Sequence, residues 1–266
     1  MLTMDKHRIK ISLPLLSAFI LVLLTVLLTV SSATLFAQDR LVLEQALNAN
    51  ERDVNHLLRD DIRKPAEVME FLGIKSGMRV LDIYAADGYY SYILSKVVGS
   101  QGVVYAQNPA ANSNIEDIRQ MFSLADALDE RIDIASLTNI EHLRQGFFDL
   151  DIEPGSLDAV MMVQILHDFY NSEPGYASAL LSHLKTLLKT GGVLAVIDHS
   201  GDKDQDNARL HRMQKNQAVE LAKNAGFKLI GDSELLNNER DRRRRPVFDP
   251  MLGRNTDRFL LKFQKD

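Results

Sequence analysis

Two histidines stand beside aspartates, each just after an apolar run: His167 and Asp168 in "ILHDFYN", Asp198 and His199 in "IDHS". Histidine changes its charge nearest neutral pH, so His167 is a candidate general base, with Asp168 placed to orient it. The competing reading is a helix-capping Asp168 and a partly exposed His167. Asp198 and His199 would form another wall of the same pocket and face its substrate. A His/Asp cluster of this kind could hold a metal ion, but no metal is required, and none is expected.

The second stretch with chemistry in it is "VLDIYAADGYYS", residues 80–91. An apolar run ends in an acid, Asp82. Small residues follow at Ala85, Ala86 and Gly88, and an amphipathic segment begins after them. Small residues let a ligand approach the backbone. The free N–H groups of a following helix hold a phosphate or a carboxylate. Asp87 fits the residue that caps this helix.

These residues need a scaffold, and the patterning supplies one. Strands are predicted at 79–84, 103–108, 139–144, 157–166 and 193–200, with late strands at 227–236 and 258–265. Helices are predicted at 38–64, after Pro65 as far as Gly73, at 88–98, 114–130, 176–192 and 205–225. Fully apolar runs such as "AVMMV" fit strands buried on both faces. The alternation implies an α/β domain with a mainly parallel sheet, closed by a terminal hairpin. In such a sheet the ligand sits beyond the carboxyl ends of the strands, where strand order reverses.

"IKSGMRVLDIYAADGYYSYIL" resembles the first motif of the class I S-adenosylmethionine-dependent methyltransferases, D-x-G-x-G-x-G, with Asp82, Tyr84, Ala86 and Gly88 at its four fixed positions. It is closer to a branch of bacterial methyltransferases whose loop reads aromatic-Pro-Gly-Gly-Gly-Trp-Tyr-Thr, matched here by Tyr84, Ala85, Ala86, Asp87, Gly88, Tyr89, Tyr90 and Ser91. Further segments follow in the branch's order: "DAVMMVQILHDFYN", "LKTGGVLAVIDHS", "LHRM", "AGFKLIGDSELLNN", "PVFDP" and "TDRFLLKFQK".

The resemblance implies a Rossmann-like methyltransferase fold, with a seven-stranded, mainly parallel sheet, helices on both faces and an antiparallel C-terminal strand. It implies S-adenosyl-L-methionine as cofactor and a small-molecule acceptor as partner. Asp82 would order the loop and hold the cofactor's ammonium. Tyr84, Ala86, Gly88 and Tyr89 would line the cofactor. Gln107 and Asn108 stand where an acid usually takes the ribose hydroxyls, and Phe148 and Asp149 where adenine is contacted. Core packing and a polar turn before Pro109 explain those last four equally well. His167 would face the transferring methyl group. Arg63 would bind an anionic group at the pocket, or pair with Asp60 or Asp61. Ala86 and Asp87 depart from the branch, and Asp87 would put negative charge beside the cofactor's carboxylate. A fold kept after loss of the cofactor is therefore the alternative. A nicotinamide oxidoreductase is disfavoured, because G-x-G-x-x-G spacing is missing.

Residues 1–10 carry Lys6, Arg8 and Lys10, residues 11–30 carry no charge, and "SSATLFAQDR" follows. That order predicts an export signal or signal anchor over 1–37, cleaved after Ala33 or Ala37 or retained in the membrane through residues 11–30. Residues 38–266 would form the methyltransferase domain, periplasmic or anchored on the outer side of the inner membrane. The 266-residue chain has a net charge of −5 and no cysteine. It has no global attraction to nucleic acid, and disulfides, thiolate metal sites and a cysteine nucleophile are excluded. The arginine run Arg240 and Arg242–Arg245 reads as a solvated loop.

Overall fold

The apolar runs become strands whose alternate side chains feed two different cores. In the computed structural model, which describes residues 40–109 and 117–266, β1 (Arg79–Ile83) is an interior strand of a seven-stranded sheet. Leu81 and Ile83 face one core with Val160, Met162, Leu194 and Val196. Val80 faces the other with Ala159, Met161, Ala195 and Ile197. Each such side chain contributes roughly 1.5–3 kcal/mol when fully buried.

The other strands are β2 (Val103–Asn108), β3 (Ile140–Arg144), β4 (Leu157–Val163), β5 (Leu188–His199), β6 (Phe227–Ser233) and β7 (Arg258–Lys265). Their order is β3-β2-β1-β4-β5-β7-β6. The pairs β1–β2, β1–β4, β2–β3 and β4–β5 are parallel, while β7 runs antiparallel to both β5 and β6. The late hairpin is thus inserted with its second strand innermost. Phe259, Leu260, Leu261 and Phe263 are all buried, whereas β6 alternates buried and exposed positions as an edge strand does.

Helices follow the strands: α1 (residues 40–47), α2 (Val54–Arg63), α3 (Pro65–Leu72), α4 (Tyr89–Val98), α5 (Asp117–Ile134), α6 (Leu166–Ser172), α7 (Pro174–Leu187), α8 (Asn207–Leu210) and α9 (Lys215–Asn224). Pro65 opens α3, and Gly73, at φ 74°, ends it. Val42–Asp266 form one compact unit.

Several expectations about the elements are corrected: the strand expected at 157–166 ends at Val163 and Leu166 opens α6, and the strand expected at 227–236 ends at Ser233. The helix expected at 38–64 is two, because Asp53 caps a new one by accepting from the Asn55 N–H. The helix expected at 176–192 stops at Leu187, and Leu188 already pairs with Leu157 before a bulge restores register at Ala159–Val193. The helix expected at 205–225 breaks at His211, which is left-handed (φ 52°), and Met213 bridges to Ser200. The reading of residues 1–37 lies outside the described residues. Among the described residues no helix is long and apolar enough to cross a membrane.

Candidate active site

The chain leaves β3 at one side of β1 and returns as β4 on the other, so the crevice of the sheet opens beyond β1 and β4. The loop after β1 has a distinctive backbone: Tyr84, Ala86 and Gly88 have φ of 59°, 51° and 81°. These are the three positions of the glycine motif. The left-handed conformation has been kept although two of the glycines have not, and each non-glycine there costs about 1–2 kcal/mol.

The tip of β2 holds the loop in this shape. Ile83 is in register with Gln107, which brings the next residues of both strands together. Gln107 accepts from the Tyr84 N–H at 3.0 Å and donates to Gln145 O at 2.8 Å. Asn108 accepts from the Ala86 N–H at 2.9 Å and donates to Ala86 O at 3.2 Å. Both amides are buried and spent on the loop and its neighbours, rather than facing a ligand as free hydroxyl acceptors. Ala86→Gly is expected to raise stability by about 0.5–1 kcal/mol, the left-handed strain relieved less the entropy gained by the unfolded chain. A thermal melt showing loss of stability would mean that the alanine methyl is needed for packing.

Gly88 has a second reason to be small. A Cβ there would stand 2.4 Å from Leu128 Cδ1 on α5. The glycine therefore serves helix packing as well as any ligand, and a side chain at Gly88 would damage the fold before it reported on binding.

Asp87 is not the cap of α4; Gly88 precedes that helix, and no side chain caps it. The Asp87 carboxylate instead accepts from His56 Nε2 at 3.1 Å and Arg59 Nη1 at 3.4 Å, with Arg131 Nη2 at 3.8 Å. Burial opposes its charge, but the His56 hydrogen bond and the two arginines outweigh burial and hold the carboxyl well below the usual range. The expected repulsion of a cofactor carboxylate is therefore neutralised from within.

Asp82 points to the α4 side, where Oδ2 accepts from Ser91 Oγ at 2.7 Å. Burial raises its pKa to about 6, against the pull of Ser91 and of Arg63. Arg63, in the last turn of α2, lies over the rings of Tyr89 and Tyr90, at 4.4 and 5.6 Å, and donates to Gln164 Oε1 at 3.1 Å. It pairs with neither Asp60 nor Asp61; Asp60 is taken by Arg52 and by the Tyr89 hydroxyl. Tyr89 is 2 % exposed, so it supports Arg63 rather than offering its own face to a ligand. Among the described residues neither Asp82 nor Arg63 has an ion-pair partner.

Beyond β4 the backbone turns through a left-handed Gln164 (φ 56°) into α6. Here the expected acid–base assignment is corrected. His167 is 2 % exposed, and its Nδ1 stands 2.7 Å from Asp198 Oδ1. Its backbone N–H donates to Asp198 Oδ2 at 2.9 Å. Nε2 lies 3.1 Å from Asp168 Oδ1 without forming an aligned hydrogen bond. Burial disfavours the imidazolium, but Asp198 and Asp168 outweigh burial and raise the pKa to about 10. The two carboxylates thus favour the protonated ring. Its orienting acid is Asp198, which is fully buried beneath it and therefore cannot line a substrate.

His199 is the neutral member. Burial, then the charges of His167, Arg258, Arg212 and Arg63, push it well below the usual histidine range. Its Nδ1 bonds Thr256 Oγ1 at 2.7 Å, and its ring lies 5.6 Å from that of His167. Tyr84 joins this rim to the loop: burial, then the charge of Asp168, raises its hydroxyl to about 12.

Phe148 and Asp149 are exposed, and Phe148 packs on Tyr176 and His183 of α7. Phe147 packs inward on Phe169. Gln164, His211, Thr256 and Arg258 were not singled out in the sequence, although "LHRM" and "TDRF" contain three of them. In the arginine run, Arg243 is tied to Asp202 and Asp257, and Arg245 to Asp249, so two of its five arginines are paired while still partly exposed.

Residues 60–141 match the family model of protein-L-isoaspartate(D-aspartate) O-methyltransferase. No curated protein sequence matches the chain. Among solved structures, an S-adenosylmethionine-dependent methyltransferase from Aquifex aeolicus superposes with a TM-score of 0.58 at 22% identity, over 78% of this chain and 93% of that one. The fold is that of the Rossmann-like methyltransferases. The [4+2]-cyclase SpnF superposes equally well, with a TM-score of 0.58 at 12% identity over 82% of this chain and 85% of its own. The methyltransferase fold thus does not by itself name the reaction. The family match ends at residue 141, before His167 and His199.

Proposed function

We propose that this protein is an S-adenosylmethionine-dependent methyltransferase with a small-molecule acceptor. One observation carries the reading: Asp82 and Arg63, of opposite charge and without ion-pair partners, flank a left-handed loop at the crevice of the sheet. An amino-acid zwitterion complements that pair, its ammonium on Asp82 and its carboxylate on Arg63. When bound, S-adenosylmethionine supplies a sulfonium methyl that is electrophilic without further activation. The protein then needs chiefly to align the acceptor and exclude water. A general base is needed only for an acceptor that arrives protonated.

The spent amides of Gln107 and Asn108 support the second reading, a binding protein that has lost the cofactor. Calorimetric titration of the full-length chain with S-adenosylhomocysteine separates the two. Micromolar binding is expected, and no binding by folded protein would reject the enzyme. Export, through residues 1–37, belongs to the same proposal. It raises the question of how a cofactor made in the cytoplasm reaches the domain. Protease treatment of spheroplasts, with the outer membrane opened, should digest the domain; full protection until the inner membrane is breached would reject export.

A further inference from the structure

One cluster at the rim is not needed for methyl transfer. Nε2 of His167, an oxygen of Asp168 and a ring nitrogen of His211 lie within 4.8 Å of one another. Asp168 Oδ1 stands 3.1 Å from His167 Nε2 and 3.0 Å from His211 Nδ1. His167 Nε2 is buried and forms no hydrogen bond, an orphan that a folded protein rarely tolerates. Behind it, Asp198 holds Nδ1 at 2.7 Å and fixes the ring, as the carboxylate behind a metal-bound histidine does. His211 is held in place at a strained left-handed backbone position, φ 52°, between α8 and Met213, and Phe248 packs on its ring at 4.9 Å.

Two imidazole nitrogens and one carboxylate oxygen, gathered on one side, suit a transition metal that keeps open positions for other ligands. Magnesium and calcium prefer oxygen donors throughout. We propose that His167, Asp168 and His211 bind one divalent transition-metal ion, with Asp198 as the positioning residue behind His167. The ion binds through the Nε2 lone pair and an Asp168 oxygen 3.1 Å from it, and its binding releases any proton on that nitrogen. Asp168 and His211 are half-exposed, so the remaining coordination positions are open to solvent or to an oxygen of the acceptor.

The test is a titration of chelator-stripped, full-length protein with Co2+, followed by absorption and by calorimetry. One equivalent is expected to bind with visible d–d bands, and Mg2+ is expected not to compete. Asp198→Asn should weaken binding by about 10–100-fold, and His211→Ala should weaken it further. His211 is half-exposed, so its replacement spares the core if the buried His167 cannot be changed. Absence of binding to folded protein, or one-equivalent binding that His211→Ala leaves unchanged, would overturn the proposal. The outcome does not depend on S-adenosylhomocysteine: a chain that binds no cofactor would still bind the metal.

Discussion

Asp82→Asn is expected to raise the melting temperature and at the same time to abolish binding of S-adenosylhomocysteine. The carboxyl has a pKa of about 6 in the folded protein against 3.8 for the free side chain, because burial outweighs the Ser91 hydrogen bond. The folded state therefore holds this proton more tightly than the unfolded chain does. The sign follows directly: stability falls as pH rises from about 4 to about 6, and above that the whole cost is present, about 3 kcal/mol. Asparagine carries no charge to desolvate and can still accept from Ser91. At pH 7 the variant should recover part of that cost as a gain of several degrees, and at pH 4 the difference should shrink. Binding should move the other way. An ammonium in the crevice needs the ionised carboxylate, so affinity of the wild-type chain should drop about tenfold per unit below pH 6. Scanning calorimetry and ligand titration at pH 4.5, 6 and 7.5 check both halves. A variant that is less stable at pH 7 would show that Asp82 is part of the fold's support. One that binds as tightly as wild type would remove it from the site.

Asp241→Ala is expected to cost about 3–5 kcal/mol. Asp241 Oδ2 pairs with Arg212 Nη2 at 2.9 Å, with both side chains almost wholly buried. Asp241 also accepts from the backbone N–H groups of Arg243 and Asp257. Arg212 in turn donates to Ser200 O and Arg245 O. This network ties residues 241–257 to the end of β5, next to His199. Truncating Asp241 leaves a buried guanidinium without its counter-charge, and that penalty exceeds the worth of the pair itself. The double replacement Arg212→Met with Asp241→Leu should recover part of the loss, because no charge then remains unpaired, although the N–H groups of Arg243 and Asp257 lose their acceptor. Urea unfolding of the two variants beside wild type measures it. A single-variant loss under about 1 kcal/mol would mean that solvent reaches Arg212.

The sequence alone was enough to place most of the scaffold. β2 and β7 match the apolar runs that named them, and α3 begins at Pro65 and ends at Gly73, because proline and glycine act through their own backbones. The strand ends that carry Asp82, Asp198 and His199 follow from the same local patterns. What failed locally was pairing. Leu188 belongs to β5 only because Leu157 lies beside it, and His211 breaks a helix that its neighbours in sequence would extend.

The site shows the same division more sharply. Residue types were legible, but their states were not. His167 reads as a neutral base until Asp198, 31 residues away, is found against its Nδ1. Gln107 and Asn108 read as free acceptors until the register of β1 and β2 brings the loop onto them. Gly88 reads equally as space for a ligand or for helix packing until Leu128 is found 2.4 Å from where its Cβ would stand. Sequence by itself determined which strand ends carry Asp82, Asp198 and His199, since backbone periodicity is a local property. Tertiary structure alone decided their charge and their partners, since burial and Coulomb forces depend on distance in space and not along the chain.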